Sequence, residues 1–432
     1  MREFNNLKNI NIDELIKKAM NKEIYLVDSR LPDSYVGWKL KNDKYSGHLK
    51  GAIDFSYSWL VTDYDDLNNF ENKTKEEVLK DCLNNKIKNK YTSVYIYDSN
   101  GTDSIKVAQY FLENEIRDIN IFSLCDVEIN ENQFESYPNY KNIISPLELK
   151  NYLDKKETQT LLENTDYIIF DVSYGEENET SYKKLGHIDT AIHVNTDWFE
   201  PPEGGWMLDS DENLIKLAKK LGLTIKKGAI ITGPEPMATT KFATILKYLG
   251  IKDVRILNGA LDNWKNYGYD LTKESFYPIE VDNFLSDIPV NGDIIKSLEE
   301  VKLNVEKENF NIVDTRTIEE FTGLTPGHSY HNIAGTIKNS IFGNAGIKST
   351  HSMYFYRNID KTMRNGYELI EMLKSNNANF NNHLSFMCGA GWRAAEAYWY
   401  FSIMGFENIS LFSDGWMSWS NAGYPIIKNK EI

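Results

Sequence analysis

The chain has 432 residues, 41% of them apolar and 13% aromatic, which is too long for one compact core and leads us to expect roughly three domains. A formal net charge of −15 argues against a nucleic-acid or anionic-membrane partner, because phosphate binding needs a basic surface. No run reaches the ~18 consecutive apolar residues of a membrane helix. The opening Met1-Arg2-Glu3-Phe4-Asn5-Asn6 lacks a signal peptide's apolar stretch, so a cytoplasmic location is expected.

In chain order, a helical pattern at Asn11-Ile12-Asp13-Glu14-Leu15-Ile16 precedes an apolar strand ending in Asp, Ile24-Tyr25-Leu26-Val27-Asp28. Gly47-His48-Leu49-Lys50-Gly51-Ala52-Ile53 follows, then the strand Val94-Tyr95-Ile96-Tyr97 and a polar loop from Asp98. The same events recur. Ser145-Pro146-Leu147-Glu148-Leu149 carries an N-cap, a first-turn proline and a Glu three residues after the Ser. It leads to Tyr167-Ile168-Ile169-Phe170-Asp171, Gly186-His187-Ile188-Asp189-Thr190-Ala191-Ile192 and Ala229-Ile230-Ile231-Thr232. A third round opens at Gly292-Asp293-Ile294-Ile295 and continues through Asn311-Ile312-Val313-Asp314. Its middle segment is aligned as Tyr330-His331-Asn332-Ile333-Ala334-Gly335-Thr336-Ile337, and Leu384-Ser385-Phe386-Met387 is its last buried strand.

The three rounds close in strict register at Glu115, Gly250 and Gly405, and 17 residues earlier lie Asp98, Gly233 and Cys388. Short β-branched strands alternating with helical patterns predict an α/β architecture of three tandem domains, each a mainly parallel sheet flanked by helices. The domains are placed at residues 1–140, 141–280 and 281–432.

Asp-x-Arg after an early strand, Gly-His-Leu/Ile in the middle and a strand-Cys-loop-helix later resemble the rhodanese fold. The third copy carries the most specific match: Ile312 to Gly323, Gly327-His328-Ser329-Tyr330, Asn344-Ala345-Gly346, Ser349-Thr350-His351, Thr362-Met363-Arg364 and Cys388 to Arg393. It resembles the three-domain thiosulfate sulfurtransferases, in which only the C-terminal domain keeps the cysteine. The resemblance implies transfer of sulfane sulfur through a Cys388 persulfide. Thiosulfate is the expected donor, and a thiol, cyanide or a protein the acceptor. Asp98 and Gly233 leave the first two domains without a nucleophile.

A free thiol ionises near pH ~8.5, so the loop has to favour the thiolate. Cys388-Gly389-Ala390-Gly391-Trp392-Arg393 runs from a buried strand into a helix, which would aim backbone N–H groups at the sulfur. Ala394, Ala395, Tyr398, Phe401 and Met404 predict one apolar face on that helix. Arg393 has two readings: a cation for the thiolate and an anionic donor, or a brace on loop carbonyls or a Glu such as Glu396. Trp392 is read as a pocket wall and Arg316 as a partner for an acidic side chain. Arg364, His351, Tyr330 and Ser329 are the substrate-binding candidates, with Arg357 behind them. His48, His187 and His331 recur and are read as structural.

With only Cys82, Cys125 and Cys388 and no Cys-x-x-Cys, neither a metal nor another cofactor is expected. Three alternatives stand beside thiosulfate sulfurtransferase. A phosphatase of this fold needs an arginine one position later, where Ala394 stands. A 3-mercaptopyruvate enzyme would carry arginines where Glu319, Glu320 and Thr325 lie. A persulfide carrier or interaction platform would not turn over.

Overall fold

The computed structural model describes residues 4–8, 10–63, 72–161, 165–329 and 331–428. The chain divides into two compact units, Met1–Tyr140 with Asn358–Glu368, and Lys141–Arg357 with Leu369–Ile432. Among the described residues no helix is long and apolar enough to cross a membrane.

The first unit holds a parallel sheet of β1 (Asn5–Asn6), β2 (Tyr25–Asp28), β3 (Ile53–Asp54), β4 (Val94–Asp98) and β5 (Ile119–Ser123), ordered β1-β5-β4-β2-β3. The second unit holds two sheets. In one, β6 (Ile143–Ile144), β7 (Tyr167–Ser173), β8 (Ile192–Asn195), β9 (Gly228–Thr232) and β10 (Asp253–Leu257) run in the order β8-β7-β9-β10-β6. In the other, β11 (Phe310–Asp314), β12 (Ile341–Phe342), β13 (His383–Met387) and β14 (Ile409–Leu411) run in the order β12-β11-β13-β14. Numbered from their own starts, the first two sheets share one strand order, and the third matches it once the Ile295–Leu411 bridge is counted in the place of a first strand. Nearly every strand residue is buried, which is why these segments read as unbroken apolar runs.

Asp98, Gly233 and Cys388 lie at or just past the end of a central strand of their sheets, before a helix: α1 (Asp103–Glu113), α2 (Pro236–Leu249) and α3 (Trp392–Ile403). α2 and α3 pack against each other inside the second unit. Residues Arg393 to Ile403 of α3 are therefore all buried, and the single apolar face expected from the sequence is instead burial on every side, the charged Arg393 and Glu396 included.

The Asp-x-Arg pairs close the strand ends. Arg30 Nε and Nη2 donate to the two Asp28 oxygens at 2.9 and 2.6 Å and Nη2 also reaches Gly47 O at 2.6 Å. Arg316 repeats this on Asp314 at 2.9 and 2.7 Å and on Gly335 O at 2.8 Å. In the second copy Ser173 takes the arginine's place, and both oxygens of buried Asp171 have no hydrogen-bond partner among the described residues. Burial pushes the Asp171 carboxyl up to about 7.

The arginine contacts also correct the third copy's alignment. Gly335, not the residue before His331, answers to Gly47, so the position of His48 and His187 belongs to Thr336. Thr336 forms an antiparallel bridge to Ile427 as His187 does to Thr272, and its Oγ1 donates to Asp314 at 2.9 Å. His48 and His187 each hold a backbone carbonyl, of Tyr35 and Tyr182, through Nδ1 and stack on those same rings. His331 instead meets Ser420 Oγ at 2.9 Å. The third opening is shifted too. Ile295 makes a single parallel bridge to Leu411, and the helix starts behind a Ser297–Glu300 capping box at Leu298. In the second copy Ser145 caps its helix, but the Glu148 carboxylate turns away to accept the N–H groups of Gln159, Thr160 and Leu161.

Candidate active site

Cys388 follows β13 directly and is 3% exposed. The Gly391 N–H donates to Cys388 Sγ at 3.1 Å. Gly391 caps α3 with φ +88°, and a Cβ there would lie 2.1 Å from Ser413 O, so only glycine fits. The loop's carbonyls are taken by the first turn of α4 (Gly415–Asn421): Trp416 N–H donates to Cys388 O at 2.8 Å and Met417 N–H to Gly389 O at 3.1 Å. With its carbonyls turned to α4, the loop leaves an amide facing the sulfur.

The other two copies act as internal controls for that amide. In the first, Asp98 stands at the cysteine's position, and the residue three further on, Gly101, donates its N–H to Asp98 Oδ1 at 2.8 Å. Ser104 N–H and Oγ hold the other oxygen at 2.9 Å. The loop thus encloses a side-chain anion of its own. In the second copy Gly233 offers no anion, and the residue three further on is Pro236, which has no N–H to give. The donor is present in the two copies with a side chain to receive it.

Arg393 is 1% exposed and grips Glu320 with two hydrogen bonds, at 2.8 and 2.9 Å. Burial alone would raise the Glu320 carboxyl, but the guanidinium beside it holds it down at about 2. The brace therefore runs to Glu320. Glu396 belongs to Arg357, which meets it at 2.5 and 2.6 Å and also reaches Glu235 at 2.5 Å. Trp392 donates Nε1–H to Glu200 Oε2 at 2.5 Å, fixing the indole at the loop's edge.

The remaining sequence candidates divide. His351 stands edge-on to His328, ring centroids 5.9 Å apart, and Ser329 is exposed beside it in the chain. His328 itself lies over the loop, since a Cβ on Gly389 would come within 2.9 Å of its Nε2. Burial, with Arg393 adding to it, pushes the His328 imidazole down to about 4, so it is neutral at physiological pH. In the sequence His328 stands out only as part of the Gly327-His328-Ser329-Tyr330 match, and that motif was the signal for a role at this loop. Tyr330 lies outside the described residues. Arg364 belongs to the first unit, where it is buried and paired with Glu368 at 2.5 Å near Lys86 and Asp54. Its guanidinium is engaged there by the Glu368 carboxylate. Among the described residues no cluster of His, Cys, Asp and Glu could hold a metal ion.

The family model of the rhodanese-like domain matches residues 148–267 and 297–422. The chain is 28% identical over 396 residues to "Thiosulfate sulfurtransferase YnjE" of Escherichia coli, covering 91% of this chain and 86% of that protein. It is 22% identical over 308 residues to "Sulfur carrier protein TtuD" of Thermus thermophilus, covering 68% and 99%. The crystal structure of YnjE superposes with a TM-score of 0.84 at 27% identity over 96% of this chain and 95% of that one. The anaerobic ergothioneine biosynthesis enzyme from Chlorobium limicola, solved with trimethyl histidine, superposes with a TM-score of 0.88 at 24% identity over 99% and 100%, a likeness of fold alone.

Proposed function

The chain belongs to the rhodanese-like domain family, and from that premise we propose that it is a sulfurtransferase working through a persulfide on Cys388, with thiosulfate as donor. The observation that carries the reading is the Gly391 N–H aimed at Cys388 Sγ at 3.1 Å at the start of α3. The thiolate attacks the outer sulfur of thiosulfate. A new S–S bond forms, the donor's S–S bond breaks, and sulfite leaves with the bonding pair. An acceptor nucleophile, such as a thiol or cyanide, then takes the outer sulfur and returns the thiolate.

The loop supports sulfur over phosphate. Arg393 is committed to Glu320, so the cradle offers amides and no free guanidinium for a tetrahedral oxyanion. The names of the curated relatives point the same way, to thiosulfate and to sulfur carriage. The three-domain reading, with Asp98 and Gly233 at silent positions, and the lining of the pocket mouth by His351 and Ser329 are part of this proposal.

Mass spectrometry of protein incubated with thiosulfate tests it. One sulfur should be gained on the Cys388 peptide and lost on adding cyanide, with thiocyanate appearing. Cys388→Ser should abolish both. An unmodified Cys388 peptide in the wild type would overturn the reading.

A further inference from the structure

Lys241 is an ammonium buried to 0% exposure on α2, eight residues beyond the silent position Gly233. Such a group is costly to bury unless it is well paired. Its Nζ forms an ion pair with Glu200 Oε1 at 2.7 Å, donates to Ser413 Oγ at 2.6 Å and reaches Ala390 O at 3.4 Å. Glu200, also buried, receives Trp392 Nε1–H on its other oxygen. Both charged residues come from the second sheet's part of the chain, while Ala390, Trp392 and Ser413 belong to the third, and all lie within one compact unit.

Ala390 C=O and Gly391 N–H are two ends of a single peptide group. The carbonyl end meets the ammonium and the amide end meets Cys388 Sγ. A cation at the carbonyl oxygen fixes the plane of that peptide and draws electron density away from its N–H, which strengthens the N–H toward an anion on sulfur. The mirror position behaves differently. Eight residues beyond Cys388 stands Glu396, and it meets the second copy's loop only through Arg357 and Glu235. Two equivalent positions on packed helices thus carry opposite charge, and the cation faces the loop that holds the cysteine.

We propose that Lys241 and Glu200 are positioning residues for the sulfur chemistry, holding and polarising the Ala390–Gly391 peptide so that its N–H stabilises the thiolate and the persulfide on Cys388. The inference rests on Cys388 being the nucleophile. The other charged groups around the loop are the Arg393–Glu320 and Arg316–Asp314 pairs, Asp414, and the imidazoles of His328 and His351. Both ion pairs are internally neutralised, and His328 is uncharged above about pH 4.

The test uses the full-length protein, Lys241→Met and the double variant Lys241→Met/Glu200→Gln, which removes both charges and leaves neither buried alone. Iodoacetamide alkylation is followed at the Cys388 peptide across pH, with circular dichroism to show that each variant is folded. In the folded double variant the alkylation profile should move up by about one pH unit, a roughly tenfold slower reaction at neutral pH. Persulfide loading should slow in parallel. An unmoved profile in a folded double variant overturns the proposal. Alkylation needs no sulfur donor, so failure of thiosulfate loading in the wild type refutes the donor assignment without touching this result.

Discussion

Replacing Arg393 with Met separates its two readings. As a brace, the arginine keeps a fully buried carboxylate ionised: Glu320 is held at about 2 against an ordinary 4.5. That shift of about 2.5 units corresponds to about 3 kcal/mol at neutral pH, in the range found when one partner of a buried pair is removed. The folded value is depressed, so the stabilisation is complete above about pH 4.5 and lost as pH falls toward 2. Arg393→Met should therefore lower stability to urea by about 3 kcal/mol at pH 7, with the gap to wild type closing in acid. Adding Glu320→Gln should restore part of the loss, because the orphaned charge disappears. A loss below about 1 kcal/mol, or a gap that ignores pH, would refute the brace. A raised KM for thiosulfate at full stability would then return Arg393 to anion steering.

Asp171 makes the opposite prediction. Its folded value is raised to about 7 from 3.8, so its contribution is most favourable below pH ~4 and is lost as pH climbs through 7. Asp171→Asn should gain stability over wild type by roughly 2–3 kcal/mol more at pH 8 than at pH 5 in urea titrations, and a pH-independent difference would contradict the burial argument. Gly389→Ala should slow Cys388 alkylation, because the new Cβ meets the His328 ring 2.9 Å away. His328→Ala in the same chain should relieve it, and no relief would place the obstruction elsewhere.

What the sequence revealed and what it hid follow from range. Strand ends at Asp28 and Asp314, and the register joining Asp98, Gly233 and Cys388, were legible because buried parallel strands print continuous apolar runs and the repeat fixes their phase, whereas the second copy's strand runs two residues past Asp171 to Ser173. Arg316 on Asp314 was readable because its partner is two residues away. Arg393 on Glu320 spans 73 residues, and no local pattern distinguishes Glu320 from Glu396 as its partner. The third copy's histidine misled for a similar reason. Without the Arg316–Gly335 contact to set the register, His331 looked like the repeat's histidine, although Thr336 occupies that position. Lys241 was invisible because the loop it reaches at Ala390 lies about 150 residues away, beyond any local pattern.

The three loops also predict where a new nucleophile could live. Asp98 can become Cys without disturbing its donors, because Gly101 N–H and Ser104 N–H already converge on a side-chain anion there. Gly233 cannot. Pro236 has no N–H, φ at Gly233 is +154°, and a Cβ would meet Val172 O at 2.5 Å. In a Cys388→Ser background, a thiol at position 98 should be alkylated at neutral pH roughly tenfold faster than an ordinary free thiol, whereas one at position 233 should be inert or misfolded. Equal reactivity at the two positions would show that the amide three residues beyond the nucleophile does not govern the thiolate. The Gly391 contact would then be a consequence of the turn and not its chemical purpose.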